Sequence, residues 1–214
     1  ILASAEVPHF NPNTRKKLTS KQLRNVLVQD SFEPGSTFKP LVAALALDQS
    51  LAEADEEMHC ENGELRVGKH TVTDVHPVGE ASFADVLIRS SNVCMTKLGQ
   101  RLGKESLYQG LVQMGFGKRT GIELSGESRG ILRNSRSWKT IDVATHSFGQ
   151  GVAVTAMQMV RAYTALANRG YMVKPTFLKK NTLEPKRERI FSEATARKMS
   201  DILYGVTEHQ RGTG

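Results

Sequence analysis

The sequence predicts an α+β domain. Apolar runs and capping signals at helical spacing fill most of its 214 residues, and short strand-like stretches stand near both ends, at 1–8 and 171–175. No internal repeat or low-complexity tract interrupts this pattern.

Taken in order, residues 1–8 read as a strand, followed by the turn Phe10-Asn11-Pro12-Asn13. A short helix is expected over 20–25. Pro34-Gly35 then turns the chain into a helix whose apolar run, 41–47, predicts burial up to about Gln49. Residues 54–80 are polar and carry glycines, so loops and hairpins are expected, with 64–67 strand-like. Ser82-Phe83-Ala84-Asp85 is a capping box that opens a short helix through Ile88. Ser90-Ser91-Asn92 interrupts it, because these residues prefer caps and turns. Helices follow at 93–102 and 104–114, the second ending at Gly115. A short strand at 122–124 and an irregular connection over 125–142 come next. Phe148-Gly149-Gln150-Gly151 is a glycine turn, and Thr155 with Gln158 makes the capping box of the clearest helix, which runs to Asn168. Ser192 caps a last helix with Met199, Ile202, Leu203 and Val206 on one face, closing near Gly205.

Composition bounds the function. Hydrophobic residues make up 39% and charged residues 24%, the balance of a globular domain large enough to bury a core. The formal net charge is +7, yet basic residues are dispersed apart from Arg15-Lys16-Lys17 and Lys186-Arg187-Glu188-Arg189. No basic stripe interleaves with aromatics, which argues against a nucleic-acid partner. No stretch of 18 apolar residues is present. The six histidines have no metal-ligand spacing, so neither a metal nor a cofactor is expected. Cys60 and Cys94 form no metal motif, and whether they pair is left open. The chain starts as though a strand were under way and stops at Arg211-Gly212-Thr213-Gly214 without a terminal element, so a fragment truncated at both ends is expected.

The chemistry concentrates in Glu33-Pro34-Gly35-Ser36-Thr37-Phe38-Lys39-Pro40. Residues at i and i+3 share a helix face, so the Ser36 hydroxyl and the Lys39 amine can meet. A serine needs an adjacent base to act as a nucleophile, and a lysine serves only when neutral, a form that burial favours. The free N–H groups of a helix start suit a developing oxyanion. A serine–lysine pair at this spacing arises by chance about once in a chain of this length. Here Ser36 is the single serine with lysine at +3, and it falls at a predicted helix start. Ser90-x-Asn92, the single S-x-N of the chain, offers a hydroxyl that can relay a proton and an amide that can hold another amide, although a plain helix cap reads the same way. Gly149-x-Gly151 is too short for a phosphate-binding fingerprint and reads as a turn.

These motifs resemble the transpeptidase domain of penicillin-binding proteins, for which S-x-x-K is a signature shared with serine β-lactamases. Val7-Pro8-His9-Phe10-Asn11-Pro12-Asn13, residues 32–40, residues 148–155 and Ala165-Leu166-Ala167-Asn168-Arg169-Gly170-Tyr171 are similar to family segments in the same order. Within the family the chain looks most like the class B enzymes, and Ser90-Ser91-Asn92 is similar to the division-type (septal) members. The resemblance implies an antiparallel sheet packed by helices beside an all-helical part, with the site at their junction. It implies D,D-transpeptidation of peptidoglycan stem peptides ending in D-Ala-D-Ala, acylation by β-lactams, and work beside other cell-division proteins. The expected place is the extracytoplasmic face of the bacterial inner membrane, with anchoring by a segment outside this chain. Ser36 is the implied nucleophile, Lys39 its base, Ser90 the proton relay, and Asn92 a holder of substrate or of the Lys39 amine. The family's third motif, Lys-Thr-Gly or Lys-Ser-Gly, occurs nowhere in the chain, so residues 1–214 are expected to be a partial domain with that motif beyond Gly214. Two other readings follow: a class D-like β-lactamase, given Ser36-Thr37-Phe38-Lys39, and a β-lactam sensor or non-catalytic scaffold, given the missing motif.

Overall fold

The computed structural model describes residues 1–11, 13–14, 17–179, 187–208 and 212. Pro12 of the predicted turn, Arg15 and Lys16 of one basic cluster, Lys186 of the other, and Arg211, Thr213 and Gly214 at the end lie outside the described residues. The elements in order are α1 (Val26–Gln29), β1 (Ser31–Phe32), α2 (Lys39–Asp48), β2 (Glu57–His59), β3 (Glu64–Val67), β4 (His70–Thr73), β5 (Glu80–Ser82), α3 (Phe83–Ile88) and α4 (Asn92–Gln113). They continue with α5 (Thr140–Ser147), β6 (Val154–Thr155), α6 (Ala156–Ala167), β7 (Tyr171–Val173), β8 (Arg187–Arg189) and α7 (Glu193–Glu208). The class is α+β, as the sequence predicts. Among the described residues the strands pair only two by two, all antiparallel: β1 with β6, β2 with β5, β3 with β4, and β7 with β8.

The core forms around α2, which has no polar face. Leu41, Val42, Ala43, Ala44 and Ala46 are all fully buried. Such a helix needs cover on every side, and α4, α7 and the buried aromatics Phe38, Phe116 and Phe148 contribute to the same core. Phe38 and Phe116 meet with ring centroids 4.9 Å apart, within the range where aromatic pairs add to plain burial.

Several expectations need correcting. Residues 1–8 are not a strand and carry no ladder. The helix expected at 20–25 is a set of turns, and the helical turn forms one step later as α1. Residues 122–124 are not a strand: the Ile122 N–H donates to Thr120 Oγ1 at 3.3 Å rather than to a neighbouring strand. The connection over 125–142 is not wholly irregular, since α5 starts at Thr140, with Asp142 Oδ2 accepting from the Lys139 N–H at 2.7 Å. The helices at 93–102 and 104–114 run on as one element, α4, bent at Gly103, whose φ of 72° and ψ of 160° suit glycine and few other residues. The last helix continues past Gly205 to Glu208.

The capping signals behave as the sequence indicates. Ser82 Oγ accepts from the Asp85 N–H (3.1 Å), Thr155 Oγ1 from the Gln158 N–H (3.1 Å), and Ser192 Oγ from the Thr195 N–H (3.1 Å).

Candidate active site

Ser36 does not sit in an α-helix, as the sequence suggests, but in a single 3-10 turn, Gly35–Phe38, that runs straight into α2. The turn and the first residue of α2 divide the motif between surface and core. Ser36 and Thr37 are exposed, while Phe38 and Lys39 are buried. Among the described residues the Ser36 hydroxyl makes no hydrogen bond, so it stands free at the surface.

Three contacts clamp this turn from the 148–151 loop and α6. The Gly35 N–H donates to the Gly149 carbonyl at 2.9 Å. The Gly151 N–H donates to Glu33 Oε1 at 2.8 Å. The Tyr163 hydroxyl donates to the Thr37 carbonyl at 2.6 Å. Burial pushes the Tyr163 phenol up to about 12, which keeps it a neutral donor. Gly149 has a φ of +82°, and a Cβ there would lie 2.1 Å from the Gly35 oxygen, so only glycine lets the two backbones approach this closely.

Lys39 points the other way. Its side chain is 2% exposed, and Nζ donates to the Ser90 carbonyl at 2.6 Å and to Ser90 Oγ at 2.8 Å. Burial strips water from the ammonium and lowers its pKa to about 8, while the charge of Asp74 acts in the opposite sense. About a quarter of such amines are neutral near pH 7.5, against about 0.1% for an ordinary lysine.

Ser90 owes its position to the end of α3. The Ser91 N–H reaches back to the Val86 carbonyl (2.9 Å) and the Ser90 N–H to the Leu87 carbonyl (3.1 Å), the two bonds of a Schellman ending. That ending calls for a left-handed residue, normally glycine, and Ser90 fills it with a φ of 57°. A non-glycine residue there costs of order 1 kcal/mol. Glycine would lack the hydroxyl that accepts from Lys39.

The next turn is held by Asp74, at the end of β4. Its carboxylate accepts from Ser91 Oγ (2.8 Å), the Asn92 N–H (2.5 Å) and the Val93 N–H (2.9 Å), so it caps α4 at its positive end. The Asn92 amide donates to the Thr73 carbonyl at 2.9 Å. The structure therefore joins Lys39 to Ser90 across 51 residues of sequence, whereas Asn92 engages the β4 edge and not the Lys39 amine.

Sequence reasoning missed Asp74 and Tyr163. An aspartate in a polar loop 17 residues before the helix start it caps carries no local signal, and Tyr163 reads only as one more residue of α6. Among the described residues no group of three or more His, Cys, Asp or Glu side chains is placed to hold a metal ion.

Fold and geometry define the class: an α+β domain in which a buried lysine amine binds the hydroxyl of Ser90, while Ser36, three residues before the lysine, is exposed and makes no hydrogen bond to it. The chain belongs to the penicillin-binding-protein transpeptidase domain family, whose model matches residues 1–214. It is 38% identical over 214 residues to the probable peptidoglycan D,D-transpeptidase PenA of Neisseria gonorrhoeae and 32% identical over 206 residues to the peptidoglycan D,D-transpeptidase FtsI of Escherichia coli. Those matches take in 100% and 96% of this chain but 36% and 34% of the relatives, so the chain spans about a third of their length. The apo transpeptidase domain of Burkholderia pseudomallei penicillin-binding protein 3 superposes with a TM-score of 0.86 at 32% identity, covering 89% of this chain and 58% of that one. Matches to FtsI and PenA proteins agree with the class B, division-type resemblance.

Proposed function

We propose that the protein is a peptidoglycan D,D-transpeptidase that works through a Ser36 acyl-enzyme. The observation that carries this reading is the buried Lys39 amine, with its pKa lowered to about 8, three residues from an exposed serine and bound to a second one. In the reaction, neutral Lys39 takes the Ser36 proton as Oγ bonds to the penultimate D-alanine carbonyl carbon. The amide C–N bond then breaks, and the leaving D-alanine amine gains a proton delivered through Ser90 from Lys39. An amine of a second stem peptide reverses these transfers, forming the cross-link and freeing Ser36. In this reading Asn92, held by Thr73 and Asp74, keeps its side-chain oxygen for the substrate amide. β-Lactams acylate Ser36 as substrate mimics.

The relatives named for D,D-transpeptidation support this reading, and the FtsI matches favour septal cell-wall synthesis beside other division proteins. Such work takes place on the extracytoplasmic face of the inner membrane. No helix among the described residues is long and apolar enough to cross a membrane, so the anchor in this reading comes from outside residues 1–214. A Lys-Thr-Gly or Lys-Ser-Gly segment, also from outside them, supplies the remaining wall.

The test is to label the full-length protein with a fluorescent penicillin, map the labelled peptide and follow the adduct by intact mass. The expected result is a single adduct on Ser36 that persists for many minutes. Rapid turnover of the drug would instead indicate a β-lactamase, a label on another serine would overturn the assignment of Ser36, and no label would indicate a non-catalytic scaffold.

A further inference from the structure

Cys60 and Cys94 form a disulfide, with both residues fully buried and their Cα atoms 5.0 Å apart. Its placement relative to the Lys39 and Ser90 contacts is specific. Cys94 lies in the first turn of α4, four residues after Ser90, and its N–H donates to Ser91 Oγ at 3.0 Å. That same hydroxyl donates to Asp74 Oδ2. Cys60 sits at the base of the hairpin that delivers Asp74. Its carbonyl accepts from the Gly63 N–H (2.8 Å), and the Gly63 carbonyl accepts from the Asp74 N–H (2.9 Å). The disulfide, Gly63, Asp74 and Ser91 therefore close a ring around the start of α4. Beside the ring, Lys97 Nζ binds the His59 carbonyl and Glu61 Oε1, both at 2.6 Å, but this pair is partly solvated and contributes little alone.

We propose that the Cys60–Cys94 disulfide is a positioning element of the acyl-transfer site, pinning the Asp74 hairpin to α4 so that Ser90 meets Lys39 in working geometry. The inference rests on the acyl-transfer reading above. The bond touches neither substrate nor reacting atoms and acts through Asp74 and the 90–92 turn. Both sulfurs are inaccessible in the folded protein, so the bond acts as a permanent brace. A misplacement of about 1 Å in a catalytic group can cost about a hundredfold in rate, which leaves room for a brace that contributes a fraction of that shift.

The experiment uses the full-length protein and its Cys60→Ala/Cys94→Ala variant, with Cys60→Val/Cys94→Ala as a second variant that fills the sulfur volume should the first not fold. Non-reducing peptide mapping of wild type should recover the Cys60–Cys94 linkage. In either folded variant the first-order acylation constant with penicillin should fall about fivefold to a hundredfold, while the dissociation constant of the pre-acylation complex stays the same. Asp74 is the charged group whose field raises the Lys39 pKa, so a receding Asp74 should also move the acid limb of acylation to lower pH. A purely structural staple would lower the melting temperature and leave both readouts alone. Two free thiols in native wild type, or a folded variant with wild-type acylation and an unmoved acid limb, would overturn the inference by itself. Wild type that forms no Ser36 adduct would overturn the acyl-transfer reading, and this inference with it.

Discussion

Two buried polar side chains, each 2% exposed, show how differently this fold treats a polar group in its interior. Gln158, at the start of α6, has every group matched. Its Oε1 accepts from the Thr155 N–H at 2.8 Å, and its Nε2 donates to the Lys118 and Arg129 carbonyls at 2.8 and 2.9 Å. It is neutral, its partners are all backbone, and it ties α6 to two loops. Lys39 is charged in its ordinary state, and burial works against that charge. Its partners converge on one residue, and that residue is in the left-handed region. Full satisfaction by backbone marks a group kept for architecture. A buried amine with a lowered pKa, bound to a serine in the left-handed region and three residues from an exposed one, has the features that the proposed proton transfer requires. Four substitutions or titrations can break or sharpen this contrast.

The largest effect should come from Lys39→Arg. A guanidinium keeps the positive charge and cannot give up a proton at any working pH. Acylation by penicillin should fall by about 10²–10⁴, the size typical of lost acid–base catalysis. Stopped-flow acylation of the full-length variant measures it, and a near-normal rate would move the base away from Lys39.

The second test is the pH profile. Lys39 is needed neutral, and its folded pKa lies near 8, below its unfolded value. The acylation rate should therefore rise about tenfold per pH unit up to about 8 and then level off. Stability should follow the same group with a defined sign. Between about 8 and the unfolded value the unfolded chain binds more protons, so the Lys39 contribution to stability increases as pH rises through that window. An acid limb near 6, or a flat profile, would break the link between burial and function.

Gln158→Leu should act in the opposite way. It strands the Thr155 N–H and two carbonyls, which should lower stability by about 1–3 kcal/mol. The acylation rate of the folded fraction should remain that of wild type. Denaturant unfolding beside the acylation assay separates the two. A slowed reaction at unchanged stability would show that Gln158 belongs to the site after all.

This contrast also explains what the sequence revealed. The caps at Ser82, Thr155 and Ser192 were legible because each rests on spacing within about four residues, and Ser36, Lys39 and Ser90 were singled out as candidates on the same kind of spacing. Lys39 and Ser90 were found separately, and only the fold brings them to 2.8 Å. Asp74 was invisible because its partners lie 17 to 19 residues away. Residues 1–8 read as a strand, yet a strand exists only if a neighbour pairs with it, and no described residue does so. Gln158 was read as half of a capping box, which it is, but its bonds to Lys118 and Arg129, 40 and 29 residues away, needed the fold.

The smallest effect is the most discriminating, and it compares two replacements of Ser90. Ser90→Ala and Ser90→Gly both remove the hydroxyl that accepts from Lys39 and leave the carbonyl bond in place. They differ in one atom, the Cβ, at a backbone φ of 57°. Alanine keeps the steric cost of the left-handed conformation and glycine sheds it, so the glycine variant should be the more stable by about 1 kcal/mol. In a domain of this size that is a difference of about 2–4 °C in melting temperature. The two variants should be equally slow in acylation, because both lack the proton relay. If alanine proves at least as stable as glycine, the left-handed turn carries no strain, and the idea that serine is retained there at a cost fails. If the glycine variant acylates appreciably faster than the alanine variant, the backbone rather than the hydroxyl of Ser90 limits the reaction. Lys39 would then be held by backbone alone, as Gln158 is, and the contrast between the two buried side chains would narrow to the difference in their charge.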